Sequence, residues 1–201
     1  MQRGNLVVGV TGASGAIYAQ RFLMRACKIW SRVMLIMSDQ AFQVASTELG
    51  INLLREGFSP REWLGEDFPN LELLSSRDYF TPPASGSFRH DGMVVIPCSM
   101  GTAGRIAHGI SDDLLTRSAD VCLKEKRPLV MVPREMPMNL IMLRNLTTLA
   151  EAGATIIPAC PAWYGVPQSL EELADTVVAR VLQSLGVEQN IVKEWAVEDR
   201  L

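Results

Sequence analysis

The segment Val7–Ile17 constrains this chain most, because an apolar β run stops at small residues and reopens almost at once as an apolar-periodic helix. Glycine lets the backbone approach a ligand closely, and the free N–H groups at a helix start favour an anion. The turn Gly12–Gly15 therefore predicts a phosphate cradle between a strand and a helix. A tight turn that binds nothing gives a similar pattern, so the turn alone leaves function open.

Residues missing from this turn narrow the kind of phosphate ligand. A Walker loop ends in Gly-Lys-Ser/Thr, but Ser14–Ala16 contains no lysine. A dinucleotide fingerprint needs a third glycine and an acidic residue at the end of the second strand. The second predicted strand, Arg32–Met37, is followed by Ser38 where a dinucleotide site would have an acidic residue. Asp39 comes next, so the sequence does not fully exclude a dinucleotide. A hydroxyl at that strand end favours a mononucleotide over NAD.

Bulk properties predict one enzyme-sized α/β domain over residues 1–201. The chain has 201 residues and is 48% hydrophobic, which suffices for one core and is too short for two independent domains. A net charge of −3 with scattered Lys and Arg argues against nucleic-acid binding. There is no apolar run of about eighteen residues and no signal-peptide pattern, so we expect a cytoplasmic protein with no membrane association.

The cysteines predict neither a zinc site nor a disulfide framework, because no CxxC pair occurs and each cysteine lies within an apolar run. We interpret all four as reduced, small hydrophobic residues. They are Cys27, Cys98, Cys122 and Cys160.

Strand and helix patterns alternate almost to the end of the chain. After the first strand, strands are predicted at 32–37, 93–97, 129–132 and 155–158. Helices are predicted near 13–28, 39–49, 99–108 and 137–152, with two more opening at the cap Ser111–Asp113 and the capping box Ser169–Glu172. Residues 50 to 92 contain four prolines and are harder to assign. The alternation predicts a Rossmann-like, three-layer, doubly wound sheet that is mostly parallel.

Ligands bind such sheets at the carboxyl ends of the strands, and unusual residues follow those ends. Small and hydroxyl residues follow the first three strands, while charges and aromatics follow the last two. In strand order these segments are Gly12–Ser14, Ser38, Cys98–Gly101, Pro133–Glu135 and Pro161–Tyr164. A flat ring could lie on the small residues while its anionic tail meets N–H groups, hydroxyls and Arg134.

Ordered motifs from Asn5 to Leu185 resemble the UbiX-like flavin prenyltransferases, within the flavoprotein superfamily. The resemblance is weakest between Ile51 and Asp78. The motifs are Thr11–Gly15, Met37–Ser38, Pro82–Ser87, Pro97–Ser99, Leu114–Val121, Leu123–Val130, Pro133–Glu135, Tyr164 and Pro167–Ser169.

This resemblance implies a metal-independent transferase that joins the dimethylallyl group of dimethylallyl monophosphate to N5 and C6 of reduced FMN. It implies a homododecamer whose sites draw residues from adjoining subunits, and a UbiD-like decarboxylase that receives the prenylated FMN. The flavin would be held by Gly12, Ala13, Ser14, Ser38, Cys98, Ser99, Met100, Gly101 and Arg134. The donor would be held by Lys124, Tyr164, Arg180 and Arg117. The catalytic residues would be Ser14, Glu48, Glu135 and Lys124.

These residue types suit the breaking of an allylic C–O bond, which leaves a delocalised cation and a phosphate. Fixed positive charge and donors are needed at the departing oxygens, with a π surface beside the cation. Prenyl diphosphate enzymes usually bring magnesium on aspartate-rich motifs, but Asp112–Thr116 lacks the second acidic position. We expect no metal ligands, and we interpret His90 and His108 as structural.

Each proposed site residue also has an ordinary structural interpretation. Lys124 would complement a helix C-terminus, and Arg180 would be solvated or salt-bridged on an amphipathic helix. Glu48 would be a surface residue by default, and Tyr164 would pack locally in its Pro-rich loop. Arg134 is the least ambiguous, since charges at a strand's carboxyl end tend to face the ligand crevice.

Three other functions fit the sequence less well than flavin prenyl transfer. A flavin-dependent cysteine decarboxylase would need an active-site histidine after the first helix region and an Asn-rich turn where Pro97–Met100 stands. A short-chain dehydrogenase would need Tyr-x-x-x-Lys, which none of the three tyrosines has. A non-catalytic flavin carrier would have no use for a second phosphate site.

Two features bear on the prenyl pocket. Some relatives place tryptophan where this chain has Tyr79, which would border that pocket. The loop 81–89 is rich in Pro, Gly and Ser, and we predict that it acts as a lid over the donor site.

Overall fold

Six strands form one sheet in the computed structural model, which describes residues 2–192. In chain order they are β1 (Arg3–Val10), β2 (Trp30–Met37), β3 (Leu71–Leu74), β4 (Met93–Cys98), β5 (Leu129–Pro133) and β6 (Thr155–Ile156). Every pairing is parallel, and the order across the sheet is β3-β2-β1-β4-β5-β6. The chain therefore winds outwards in both directions from the β1/β4 pair, which makes that pair the switch point where a crevice opens.

Helices cover both faces of the sheet. They are α1 (Ala16–Ile29), α2 (Asp39–Leu49), α3 (Pro60–Leu64), α4 (Met100–Ala107), α5 (Leu114–Lys124), α6 (Leu140–Glu151) and α7 (Leu170–Ser184). One core lies between the sheet and α1, α2, α3 and α7, and a second lies between the sheet and α4, α5 and α6. Because both faces are covered, strand residues are apolar without alternation, as in the fully buried run Leu6–Val8. The predicted three-layer α/β fold is confirmed.

Several helix starts differ from prediction because of local backbone chemistry. Helix α1 begins three residues later than expected, since Gly15 takes a φ of 107°. The cap of α5 is Asp113 and not Ser111, because Asp113 and Thr116 exchange hydrogen bonds in a capping box. At α7 the Ser169 side chain accepts from Glu172 N, as predicted.

The segment from 50 to 92 holds two short elements that the sequence pattern did not reveal. Helix α3 begins at Pro60, where a proline suits the first helical turn. Strand β3 has only 4 residues and forms the edge of the sheet beside β2. The rest of this segment includes a 3-10 turn at Pro82–Ala84 and leads into β4. Elements this short carry too few apolar repeats to show a period.

Three cysteines are buried, but Cys160 is exposed. The interpretation of Cys160 as a small hydrophobic residue does not fit this exposure. The reason is that β6 ends at Ile156, so Cys160 lies beyond the sheet in an open loop. No helix between residues 2 and 192 combines the length and apolar character needed to cross a bilayer.

Candidate functional site

Thr11 ties the carboxyl ends of β1 and β4 together at the switch point. Its hydroxyl donates to the Pro97 carbonyl at 2.8 Å and accepts from the Ser99 N–H at 2.7 Å. The side chain is buried, so these bonds are shielded from water. Thr11 thereby sets the spacing between the two turns that flank the crevice.

Two glycines in the first turn are required by the chain's own packing. A Cβ on Gly12 would lie 2.5 Å from the Cβ of Gln40, so its absence lets the turn rest against the start of α2. A Cβ on Gly15 would lie 2.8 Å from the Tyr18 ring, and its φ of 107° is one that side chains disfavour. Packing within the chain is therefore enough to require glycine at both positions.

Glu48 occupies the N-terminus of α1. Its Oε2 accepts hydrogen bonds from the N–H groups of Gly15 and Ala16, each at 2.8 Å. Since Gly15 offers no side chain to cap the helix, a carboxylate from the end of α2 performs that role. The N–H groups of Gly15 and Ala16 are therefore already paired within the chain, and phosphate binding at this turn stays a prediction.

The surroundings of Glu48 keep its side chain ionised. Burial acts to raise the pKa of its carboxyl, but hydrogen bonds from the Ser14 hydroxyl and from the Ala16 and Gly15 amides oppose this, as does the charge of Arg134. The net result is a pKa below the ordinary glutamate value. At neutral pH Glu48 is thus a carboxylate that can accept a proton, and it lies in contact with the Ser14 turn.

We expect Glu48→Gln to lower the free energy of unfolding by about 1 kcal/mol at neutral pH, the effect of removing a negative charge from a helix N-terminus. Because the pKa of Glu48 is lowered on folding, its stabilisation is complete above the ordinary glutamate pKa of about 4.3 and disappears as the pH falls through the folded-state value. Urea unfolding of both proteins from pH 7 down to pH 3 measures this difference. A gap between the two that stays constant across this range would contradict the assignment.

The N-terminus of α4 is capped by its own Ser99 but has free space beside it at Gly101. The Ser99 hydroxyl accepts from Thr102 N, and a Cβ placed on the exposed Gly101 would meet no atom within 4 Å. The side chains of Cys98 and Met100 are buried in the core, so these two predicted flavin-binding residues present only backbone to the crevice. Ser38 caps α2 as Ser99 caps α4, since its hydroxyl accepts a hydrogen bond from Ala41 N.

Arg134 brings positive charge to the same crevice from the end of β5. Its N–H donates to the Cys98 carbonyl at 3.2 Å, and its Cγ lies 3.9 Å from the position a Cβ on Gly15 would take. The neighbouring Glu135 side chain accepts from Met136 N at 3.0 Å. The structure therefore brings the Ser14 turn, Glu48 and Arg134 together, with Glu135 next along the chain.

Tyr18 is a residue of this crevice that sequence reasoning missed. Burial raises the pKa of its hydroxyl, with a further contribution from Cys160 and an opposing one from Arg134. The ring lies against Gly15 on the first turn of α1. Its position three residues after the last glycine of the turn was the available signal, since such a residue points back over the helix start.

Lys124 lies at the opposite edge of the sheet from this crevice. Helix α5 starts at the carboxyl edge, where Leu114 N–H bonds to the Ser76 carbonyl, and ends at the amino edge, where Arg127 bonds to the Gly86 carbonyl. Eleven helical residues span about 16 Å. In its own chain Lys124 pairs with Glu125, and the pKa of that carboxyl is lowered by the Lys124 hydrogen bond.

The loop 81–89, predicted as a lid, packs beside α5 on this side of the molecule. Arg117 donates from Nε to the Ala84 carbonyl at 3.1 Å and pairs with Asp120 at 2.9 Å. Arg127 holds the Gly86 carbonyl. Arg117 thus anchors this loop in the single chain, and its predicted contact with the donor stays a prediction, as does the lid itself.

Arg180 and Tyr164 are both exposed in the single chain. Arg180 is exposed near the end of α7 and donates to Gln183 at 2.7 Å. Tyr164 is exposed in the loop between β6 and α7. Tyr79 donates from its hydroxyl to the Ser111 carbonyl at 3.2 Å. Because Lys124 lies at the amino edge of the sheet, a site that unites Lys124 with the Ser14 turn would need two copies of this chain.

Each of the two histidines has a backbone carbonyl within hydrogen-bond distance of its Nδ1. His90 is buried with Nδ1 3.0 Å from the Gly92 carbonyl, and His108 is exposed with Nδ1 2.8 Å from the Gly104 carbonyl. Within the described part of the chain, no three His, Cys, Asp or Glu side chains come together as metal ligands would.

Similarity to known proteins shows the family to which this chain belongs. The family model described as Flavoprotein matches residues 1–182. The flavin prenyltransferase UbiX of Synechocystis sp. is 46% identical over 195 residues, which cover 94% of this chain and 95% of the relative. The chain belongs to the UbiX flavin prenyltransferase family. UbiX of Alkalihalophilus pseudofirmus is 43% identical over 190 residues, with 94% and 95% covered.

A solved UbiX structure agrees with this membership. AnUbiX (PadA1), crystallised in complex with FMN and dimethylallyl pyrophosphate, matches with a TM-score of 0.85 and 35% identity over 98% of this chain and 100% of that one. The cysteine decarboxylase TvaF matches with a TM-score of 0.58 at 19% identity, which shows a common fold only. The UbiX assignment rests on the relatives of higher identity.

Proposed function

We propose that this protein transfers the dimethylallyl group of dimethylallyl monophosphate to N5 and C6 of reduced FMN. The observation that carries the proposal is the meeting of the Ser14 turn, an ionised Glu48 and Arg134 at the β1/β4 switch point of a UbiX-family chain. Membership of a family named for flavin prenyl transfer supports the activity, and AnUbiX is crystallised with FMN and a dimethylallyl donor, the pyrophosphate.

The crevice residues fit a flavin mononucleotide. The backbone of Gly12–Ser14 and the half-exposed Ser99 provide a small-residue surface for a flat ring. The open start of α4 at Gly101 and the cation of Arg134 suit a phosphate, whereas the start of α1 already holds Glu48. When bound, the reduced flavin supplies the electron-rich N5 and C6 that take up the prenyl carbons.

The donor phosphate needs more positive charge than Arg134 supplies, together with a hydroxyl donor. We assign these roles to Lys124 and Arg180 as cations and to the Tyr164 hydroxyl as donor, with Arg117 beside them, contributed across a contact between subunits. As the allylic C–O bond breaks, its electrons leave with the phosphate, and fixed cations stabilise that developing charge. Closing the second bond at C6 would add one proton to the alkene of the prenyl chain and remove one from C6, and Glu48, Glu135 or the freed phosphate can carry that proton.

Assembly, partner and location complete the proposal. A UbiX-like relative from Escherichia coli O157:H7 is dodecameric, and we propose a homododecamer here as well. A UbiD-like decarboxylase would receive the product. The four unpaired thiols suit a reducing compartment, so we propose the cytoplasm.

The test is an anaerobic incubation of the purified protein with reduced FMN and dimethylallyl monophosphate, followed by mass spectrometry of the extracted flavin. We expect the mass of the reduced flavin to increase by that of a dimethylallyl group minus one hydrogen atom, because the group replaces one hydrogen. An unchanged flavin mass would count against the enzyme and for a flavin carrier. A parallel incubation with dimethylallyl diphosphate measures the preference for the monophosphate.

A further inference from the structure

The loop that carries Tyr164 is held at three points. Near its start, Ala159 N donates to the Pro133 carbonyl at 2.9 Å, which fixes the chain beside Arg134. Near its end, Gln168 N donates to the Glu172 carboxylate at 2.7 Å. Between them, Ala162 N donates to the hydroxyl of Thr176 at 3.0 Å. Tyr164 lies only two residues beyond this middle point.

Thr176 is suited to hold the loop because its hydroxyl is itself oriented. The hydroxyl donates to the Leu173 carbonyl at 2.7 Å, one turn earlier on α7, so its lone pairs are free to accept from the loop. Helix α7 is in turn clamped to α1, since the buried Asp175 accepts two hydrogen bonds from Arg21 at 2.9 and 2.6 Å. The middle anchor is therefore a fixed point on a fixed helix.

We propose that Thr176 is a positioning residue for prenyl-donor binding, because its hydroxyl sets the height of the Tyr164 loop above α7. This inference rests on the proposed function, in which Tyr164 and Arg180 contact the donor phosphate. Thr176 lies on the same helix as Arg180, so one helix positions both donor-binding groups. It touches neither the first turn nor Glu48, so flavin binding does not depend on it.

The test compares Thr176→Val, which keeps the side-chain shape and loses the hydroxyl, with Thr176→Ser, which keeps the hydroxyl. We expect Thr176→Val to raise KM for dimethylallyl monophosphate about tenfold through misplacement of the loop, with a smaller change in kcat. The Kd for FMN, measured by flavin fluorescence, stays the same, and Thr176→Ser restores KM. Thr148→Val is the matched control, since the Thr148 hydroxyl bonds only within α6, to the Arg144 carbonyl.

Hydrogen exchange of the loop amides gives a readout that needs no turnover. Exchange at Ala162 should quicken in Thr176→Val and not in Thr148→Val. An unchanged KM in Thr176→Val, or equal losses of donor and FMN affinity, would overturn the positioning role. If the wild-type protein transfers no prenyl group, the proposed function fails, and unchanged exchange at Ala162 would separately reject the anchor.

Discussion

Lys124→Ala should reduce prenyl transfer at least about a hundredfold while FMN remains bound, because it removes a fixed cation from the departing phosphate. We assign the FMN itself to the Ser14 turn, the start of α4 and Arg134, so the affinity for FMN should be left intact. Turnover with reduced FMN and dimethylallyl monophosphate, and flavin fluorescence titration, measure the two effects. A non-catalytic carrier would be unaffected by this change.

Lys28→Ala is the matched control for this experiment. Lys28 is also a last-turn helix lysine, and it pairs with Glu66 at 2.7 Å. It lies at the end of α1 and belongs to no proposed site. We expect the Lys28 variant to retain wild-type turnover, and an equal loss in both variants would contradict a specific role for Lys124.

We expect Glu48→Gln to be inactive as Lys124→Ala is, because it removes the carboxylate beside the Ser14 turn, and the placement of Lys124 then predicts complementation between the two variants. A site built between copies needs Glu48 from one chain and Lys124 from another. When Lys124→Ala and Glu48→Gln chains are coexpressed in equal amounts, about a quarter of random pairings present both intact residues. Activity should therefore return to about a quarter of wild type. Failure to recover activity in assembled mixtures would place both residues in one chain's site, or Lys124 outside it.

Arg21→Ala should lower the free energy of unfolding by about 3 kcal/mol, because it leaves a buried carboxylate without its main partner. The Asp175 side chain is 7% exposed, and its hydrogen bond with Arg21 raises the pKa of that guanidinium. For a chain of this size the melting temperature should fall by roughly 6–12 °C. Calorimetry at equal protein concentrations measures it, since oligomers melt in a concentration-dependent way.

Arg25→Ala is the internal comparison for this ion pair. Arg25 reaches the same carboxylate at 3.6 Å but is 42% exposed, so its removal should cost less than about 1 kcal/mol. Replacing both Arg21 and Asp175 by apolar residues of similar size should recover most of the lost stability. Equal losses for Arg21→Ala and Arg25→Ala would contradict the assignment of Arg21 as the main partner.

Much of the fold was predictable because local signals agreed with the tertiary arrangement. Helix α2 was predicted at its observed ends, since Ser38 caps its start and Gly50 takes the left-handed conformation at its end. The buried strand β4 was predicted from an uninterrupted apolar run. Strand β3 was missed because four residues on a sheet edge carry no usable period.

The site was predictable only where it follows the strand ends. The Ser14 turn and Arg134 lie where a parallel sheet must place them, so their meeting at the crevice was expected from topology. Glu48 was different, since a glutamate at a helix end is a surface residue by default. Its hydrogen bonds to Gly15 and Ala16 depend on how α2 packs beside α1.

The sequence by itself determined the alternation of strands and helices, the turn glycines and the edge of the sheet where ligands bind, because each follows from neighbours along the chain. Only the tertiary structure decided that Glu48 caps α1, and that Lys124 lies at the opposite edge from Ser14. Contacts between residues far apart in sequence depend on how the helices pack against the sheet. No local pattern encodes that geometry.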